Sequence, residues 1–211
     1  GLLVVGDFGG PNNLGRVTLG LLAGGKTAYG LSYGAEGYYQ HGDADRDAKF
    51  RAYMVGGRLG FTFKKVDTKP FIKAFGDVLS GDDDISDGTA RSFSTLFHTG
   101  HKFYGEMDYF LNLPLHTQQR GLVDVGASAG LSPAKPVKLS LTWHHFRAAA
   151  SRDDGLEVFG NELGTKVTYQ PWAPLKLDLF YGLFGPGDIF QAGVVDNKIE
   201  HFIYTTADVG F

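Results

Sequence analysis

The chain has 211 residues, 31 of them glycine and none cysteine, and a formal net charge of -3. That charge gives no basic footprint for nucleic acid, and the lack of cysteine excludes disulfides, thiolate nucleophiles and Cys-based metal sites. No apolar run approaches the roughly 18 residues of a spanning helix, which excludes a helical membrane protein but not a barrel, whose strands hide their apolar content by alternation.

In chain order the pattern predicts strands with a two-residue period. Residues 1–8 (GLLVVGDF) form a strand too short for the about 9 to 11 residues that cross a bilayer, so the chain is expected to begin partway through a strand. After a GGPNN turn, residues 14–23 place Val17, Leu19 and Leu21 on one face and Arg16 on the other. A tight GGK turn leads into 27–40, where Tyr29, Leu31, Tyr33 and Tyr39 oppose Gly34, Glu36, Tyr38 and Gln40. A polar loop (HGDADRDAK) precedes 50–63, with Tyr53, Val55, Leu59 and Phe61 opposite Met54, Gly56 and Arg58. The KKVDTK turn leads to 70–80, where Ile72, Ala74 and Val78 oppose Phe71, Lys73, Phe75 and Asp77.

Residues 81–117 form the longest irregular stretch, an extracellular or lumenal loop rich in Phe and Tyr. Strands resume at 119–131 (Val123, Val125, Ala127 against Asp124 and Ser128), 137–147 (Leu139, Leu141, Trp143 against Lys138, Ser140, Thr142, His144), 159–170 (Leu163, Val167, Tyr169 against Glu162 and Lys166) and 175–184 (Leu177, Leu179, Tyr181 against Lys176 and Asp178). The last, 198–211, sets Ile203, Ala207, Val209 and the terminal Phe211 against Tyr204 and Asp208. A final strand ending on an in-register aromatic is the type of signal by which barrel-assembly machinery recognises outer-membrane barrels, and it is equally an ordinary edge strand of a soluble β-protein.

Short turns rich in Pro, Gly and Lys alternate with longer Asp-rich loops, the arrangement that separates the periplasmic from the extracellular end of an outer-membrane barrel. Aromatics bunch near strand ends as girdles would: Phe61, Phe63, Tyr169, Trp172 and Phe211 at one interface, and Tyr39, Tyr53, Trp143 and Phe159 at the other. The predicted fold class is therefore all-β, an antiparallel transmembrane β-barrel with about ten strands in this chain. A soluble sandwich would have the apolar set inside, and periodicity alone does not say which face points in.

Several segments in the same order, KPFIKAFGDVLSGD, FSTLFHTGHKFYGEMDYF, KPVKLSLTWHHF and ELGTKVTYQPWAPLKLDLFYGLFGPGDIF with the closing aromatic, resemble the C-terminal part of the alginate export porin family. The resemblance implies a monomeric outer-membrane barrel of about eighteen strands, of which this chain would be the C-terminal portion as a single barrel domain. A closed ten-strand barrel is the alternative, its interior filled by side chains.

With this register the inward bases are Arg16, Arg58, Lys73, Lys138, Lys166 and Lys176, and the inward acids Glu36, Asp77, Asp124, Glu162, Asp178 and Asp208. Fixed cations lower the energy of a passing carboxylate by replacing part of its hydration. The resemblance implies a strongly electropositive constriction for a polyuronate, whereas here the two signs roughly balance. Arg58 and Lys73, on neighbouring strands, are the first candidates for solute contact; the bland reading makes them wall ion pairs such as Lys73 with Asp77.

The acidic run GDDDISD (81–87) lacks the spacing of a Ca²⁺ loop, His98 and His101 have no suitably spaced carboxylate or cysteine to complete a metal site, and Ser140, Thr142 and His144 share a face without an evident orienting acid. No cofactor and no enzymatic activity are expected. The leading function is a passive outer-membrane porin for small or oligomeric acidic or sugar-like solutes. A structural barrel sheathing a partner protein in the lumen or periplasm is the second reading, and a membrane-embedded enzyme the third.

Overall fold

The computed structural model describes residues 1–9, 14–45, 48–96, 99–192 and 198–210. The strands are β1 (Leu2–Gly9), β2 (Leu14–Lys26), β3 (Leu31–Asp45), β4 (Ala48–Thr62), β5 (Phe71–Leu79), β6 (Thr89–Ala90), β7 (Leu122–Ala134), β8 (Val137–Arg147), β9 (Val158–Trp172), β10 (Leu175–Pro186) and β11 (Glu200–Val209). All but β6 lie in one antiparallel sheet in chain order, and the two-residue β6 pairs parallel with β4 at Lys49 and Phe50. Two one-turn helices, α1 (Leu113–His116) and α2 (Asp188–Gln191), sit in the connections.

The two faces of the sheet meet opposite surroundings. On the outer face Leu21, Val55, Leu59, Leu141 and Ile203 stand 47–68% exposed, and a hollow of about 540 Å³ there is walled by Leu59, Phe61, Ile72, Leu141 and Trp143. On the inner face Gln40, Asp124 and Glu162 are buried. A water-soluble sheet buries its apolar set and solvates its charges; this one does the reverse, as a transmembrane barrel does.

The core lies between the inner face and the connection 80–121, at the end of the sheet where the longer connections emerge. Inner-face Leu79, Leu122, Phe146, Phe159 and Phe184 meet Phe93, Phe110 and Leu113 of the connection and Ile189 of α2. Phe110 packs on Phe146 with ring centroids 4.7 Å apart and edge-on to Phe159 at 5.4 Å, and burying one such ring is worth about 1.5–3 kcal/mol. Nearer the middle the inner face is lined by small residues that leave room for rings lying flat: a Cβ at Gly126 would fall 2.4 Å from the Phe75 ring, and one at Gly164 2.5 Å from Phe180.

The expected strands are present, and the differences lie at their ends. The GGK segment does not turn; β2 runs on through Lys26, and the reversal comes at residues 27–30, where Gly30 adopts φ +109 and the Leu31 amide donates to Thr27 Oγ1. The polar stretch expected as a loop over 41–49 is strand wherever it is described, because β3 continues through Asp45, β4 begins at Ala48 and Asp43 pairs with Lys49 across the ladder. Phe159 belongs to the core rather than to an aromatic girdle. A register shift between Phe146 and Arg147 opposite Gly160, which has φ +152, adds a bulge, and a bulge turns the extra residue to the other face. Phe211, the proposed recognition residue, lies outside the described residues, as do Phe97 and His98.

Candidate functional site

The connection 80–121 lies against the inner face and is tied down at three places. At its start the acids of GDDDISD fold the chain on itself. Buried Asp82 accepts the amides of Asp84 and Arg91 at 3.2 and 3.1 Å, and Asp87 pairs with the Arg91 guanidinium at 2.5 Å. Asp84, bonded to the Ser86 hydroxyl, and Asp87, bonded to Arg91, both titrate below the ordinary aspartate range. Next, buried Gln40 on β3 reads the backbone of Ser94 in both directions, donating to its carbonyl at 2.8 Å and accepting its amide at 3.0 Å.

The third attachment docks residues 101–108 on β9–β11. Glu162, 2% exposed, accepts the amides of Glu106 at 2.7 Å and Met107 at 3.3 Å. The Glu106 carboxylate in turn meets the Lys166 ammonium and accepts from the Tyr204 hydroxyl. His101 stacks on the Tyr204 ring at 4.2 Å and closes the segment internally, its Nδ1 within 2.8 Å of the Glu106 carbonyl and its amide donating to Asp108 at 2.7 Å. With Nδ1 engaged in this way, His101 acts as a structural brace. Four residues of the segment, His101, Tyr104, Gly105 and Asp108, have φ between 56 and 88, a region that non-glycine residues adopt only when surroundings hold them there.

The tip of this segment divides the space over the inner face. A cavity of about 650 Å³ lies on one side of Phe103 and Tyr104, bounded by Arg58, Lys73, Asp77, Asp124, Ser128, Thr142 and His144. A smaller one, about 240 Å³, lies on the other side against Glu36, Tyr38 and Gln40, with Arg58 and Asp77 shared between them. Burial, with the carboxylates of Asp77, Glu36 and Asp124 nearby, raises the Tyr104 phenol and keeps it neutral.

The structure sorts the candidate charges into paired and unpaired. Arg16 pairs with Asp7 at 2.9 Å, Lys166 with Glu106, and Lys176 with Asp178 at 2.6 Å and Asp208 at 3.3 Å; Asp178 also accepts from the Thr168 hydroxyl. Arg58 contacts Glu36 and lies 3.9 Å from Asp77. The suggested Lys73–Asp77 pair does not form. Residues four apart along a strand are separated by about 13 Å, and Arg58 on β4 takes Asp77 instead. Lys73 and Lys138 both turn to one ring, lying 5.1 and 5.0 Å from the Phe71 centroid, and among the described residues neither has an ion-pair partner. Arg58 and Lys73 share the larger cavity; Arg16, Lys138, Lys166 and Lys176 do not line it.

Two features were not evident from sequence. Asp124, 1% exposed, holds His144 Nδ1 at 2.9 and 3.0 Å, so His144 does have an orienting acid, on the neighbouring strand. The Thr142 hydroxyl, however, donates to Ser128 at 3.1 Å rather than serving as a nucleophile for that histidine. His145 points the other way and meets Asn161 at 3.0 Å. The second is the Glu106–Glu162–Lys166–Tyr204 cluster, which joins residues up to 98 positions apart. Its only sequence signal was the inward parity of Glu162, Lys166 and Tyr204.

Nearby, Arg120, 3% exposed, clamps loop 148–157 by pairing with Asp154 and donating to the Leu156 carbonyl, while its own carbonyl accepts the amides of Ala149 and Ala150. The hydrogen bond from Arg120 holds the Asp154 carboxyl below its ordinary range. A group depressed in this way contributes its stability above the unfolded value, about 3.9, and loses it as pH falls through the lower folded value. Hydrogen exchange at Ala149 and Ala150 is therefore expected to be pH-normal above that range and to accelerate below it, and Asp154→Asn is expected to abolish this acid-dependent step.

The exposed apolar outer face, the charged inner face and the loop folded against that inner face together describe a section of pore wall. The family model described as alginate export matches residues 12–202. No curated protein matches the chain. With that match running from the first hairpin to the last strand, the chain belongs to the alginate export family, a family of outer-membrane porins.

Proposed function

We propose that the chain forms the wall of an outer-membrane diffusion pore for small or oligomeric solutes of acidic or sugar-like chemistry. The observation that carries this reading is the inversion of the two faces: apolar residues stand exposed on the outside, and ionisable residues, cavities and a docked loop occupy the inside. The outer face meets lipid, and β11, with its alternating Ile203, Thr205, Ala207 and Val209, is the strand presented to the barrel-assembly machinery together with Phe211. Among the described residues β1 and β11 each pair on one side only. Lipid does not hydrate an open strand edge, which supports completion of the sheet by further strands of a larger barrel.

Within this pore the roles of the bases divide. Arg58, compensated by Glu36 and Asp77, stiffens the wall. Lys73 and Lys138, uncompensated around Phe71, lower the energy of a passing anion. The test is conductance of the natively extracted protein in a planar bilayer under a salt gradient. Steady anion-selective openings are expected, and replacing both Lys73 and Lys138 with Gln is expected to move the reversal potential toward cations and to weaken block by oligogalacturonate about tenfold, some 1.4 kcal/mol. Cation selectivity that the double variant leaves unchanged overturns the assignment of these lysines. Absence of conductance from inserted protein overturns the pore.

A further inference from the structure

The contact between the loop and β9–β11 has the chemistry of a carboxylate site that is already occupied. Lys166 and Tyr204 offer an ammonium and a phenolic hydroxyl to one carboxylate, that of Glu106. The ammonium also lies 5.9 Å from the Phe180 ring and 5.8 Å from the Tyr204 ring, so the site presents a cation beside aromatic faces, the combination that suits a carboxylated sugar. Lys166 and Glu106 are each 23% exposed at the side chain, so a solute reaches the pair without unfolding the wall.

Resting on the reading that acidic solutes enter this pore, we propose that Glu106 is a built-in surrogate for the solute carboxylate, and that a carboxylated saccharide opens the loop by exchanging with it at Lys166 and Tyr204. The exchange replaces one carboxylate by another, so the net charge beside Lys166 is unchanged, and what the incoming ligand must offset is the loss of the two loop amides that Glu162 accepts. A ligand shifts such an equilibrium only through its different affinity for the two states, and here the difference is built in, because the site is available only when Glu106 has left. The left-handed residues at 101, 104 and 108 hold strained backbone, which lowers the cost of release. The docked loop thereby narrows the lumen without sealing it, leaving space on both sides of its tip, and its release is keyed to the chemistry of the cargo.

The chain contains no cysteine, so a single introduced thiol reports on the loop independently of conduction. Met107 is half-buried and packs toward Gly182 on β10. In Met107→Cys protein the rate of modification by a water-soluble methanethiosulfonate is expected to rise about tenfold with a short oligogalacturonate and not with a neutral maltooligosaccharide of equal length. Adding Glu106→Gln is expected to give the high rate without any saccharide, and adding Lys166→Gln to abolish the response to the uronate. The proposal is overturned if the uronate leaves the Met107→Cys rate unchanged, if the neutral sugar acts equally, or if Glu106→Gln leaves the thiol as protected as before. Because this readout needs no current, its failure is separate from failure of the pore reading, which conductance of the unmodified protein decides.

Discussion

Gly105→Val is expected to expel residues 101–108 from the inner face while leaving the sheet intact. Gly105 has φ +88, and a Cβ there would lie 2.3 Å from Glu162 Oε2. A β-branched residue in that region costs about 1–3 kcal/mol. Displacing the Glu162 carboxylate also breaks the bonds it receives from the Glu106 and Met107 amides, each worth about 1.5–3 kcal/mol as a charged hydrogen bond. Together these outweigh the docking of a segment this short, although Phe110 continues to anchor its far end in the core. The measurement is limited trypsin digestion of the folded protein, with cleavage after Lys102 expected to accelerate by about a hundredfold, equivalent to roughly 3 kcal/mol of lost protection. The heat-dependent gel mobility typical of barrels is expected to be unchanged. If Lys102 is cut no faster in Gly105→Val than in the parent, Glu162 does not hold the loop as described.

The second large effect separates the two faces of one strand. Leu141 and Ser140 are neighbours on β8, but Leu141 is 47% exposed on the outer face and Ser140 faces inward beside Gly130 and Lys166. If the outer face meets hydrocarbon, Leu141→Arg places an ionised group near the middle of the membrane at a cost of about 2–4 kcal/mol, whereas Ser140→Arg faces a polar interior and costs little. Folding into liposomes is expected to drop sharply for the first variant and to stay near parental yield for the second. A water-exposed outer face would give the opposite order, because arginine at an exposed position is harmless there and arginine in a crowded interior is not. The pair of substitutions therefore tests the orientation of the whole sheet through adjacent residues of similar strand position.

The strands were readable because their signal is local. A two-residue period needs only neighbours in the chain, and Leu139, Leu141 and Trp143 against Lys138, Ser140 and Thr142 reveal β8 without reference to any other strand. The same parity placed Glu36, Asp77, Asp124 and Glu162 on one face, where the structure has them. It failed at Phe159, where the bulge at Gly160 shifts the count by one and carries the ring into the core, since alternation holds only while the ladder is regular. It also misplaced the reversal at 24–26, because Gly24 and Gly25 read as turn residues but serve in β2 as positions where Tyr33 and Gly34 approach closely.

The partner of each charge was not readable. Lys73 and Asp77 share a face and a strand, yet Asp77 goes to Arg58 on β4, and His144 finds Asp124 across the ladder. Such pairings depend on register, stagger and the direction each side chain leans, which are properties of two strands at once. The path of residues 80–121 was further still from local rules, since it is held by Gln40, Glu162, Lys166 and Tyr204 from three distant strands. The sequence by itself determined the all-β class, the two-faced alternation and the family, because periodicity and segment order are written residue by residue. Only the tertiary structure decided which face is covered, which cations are left uncompensated and that Glu106 already occupies the Lys166–Tyr204 site, because each of these is a contact between parts of the chain that no local pattern connects.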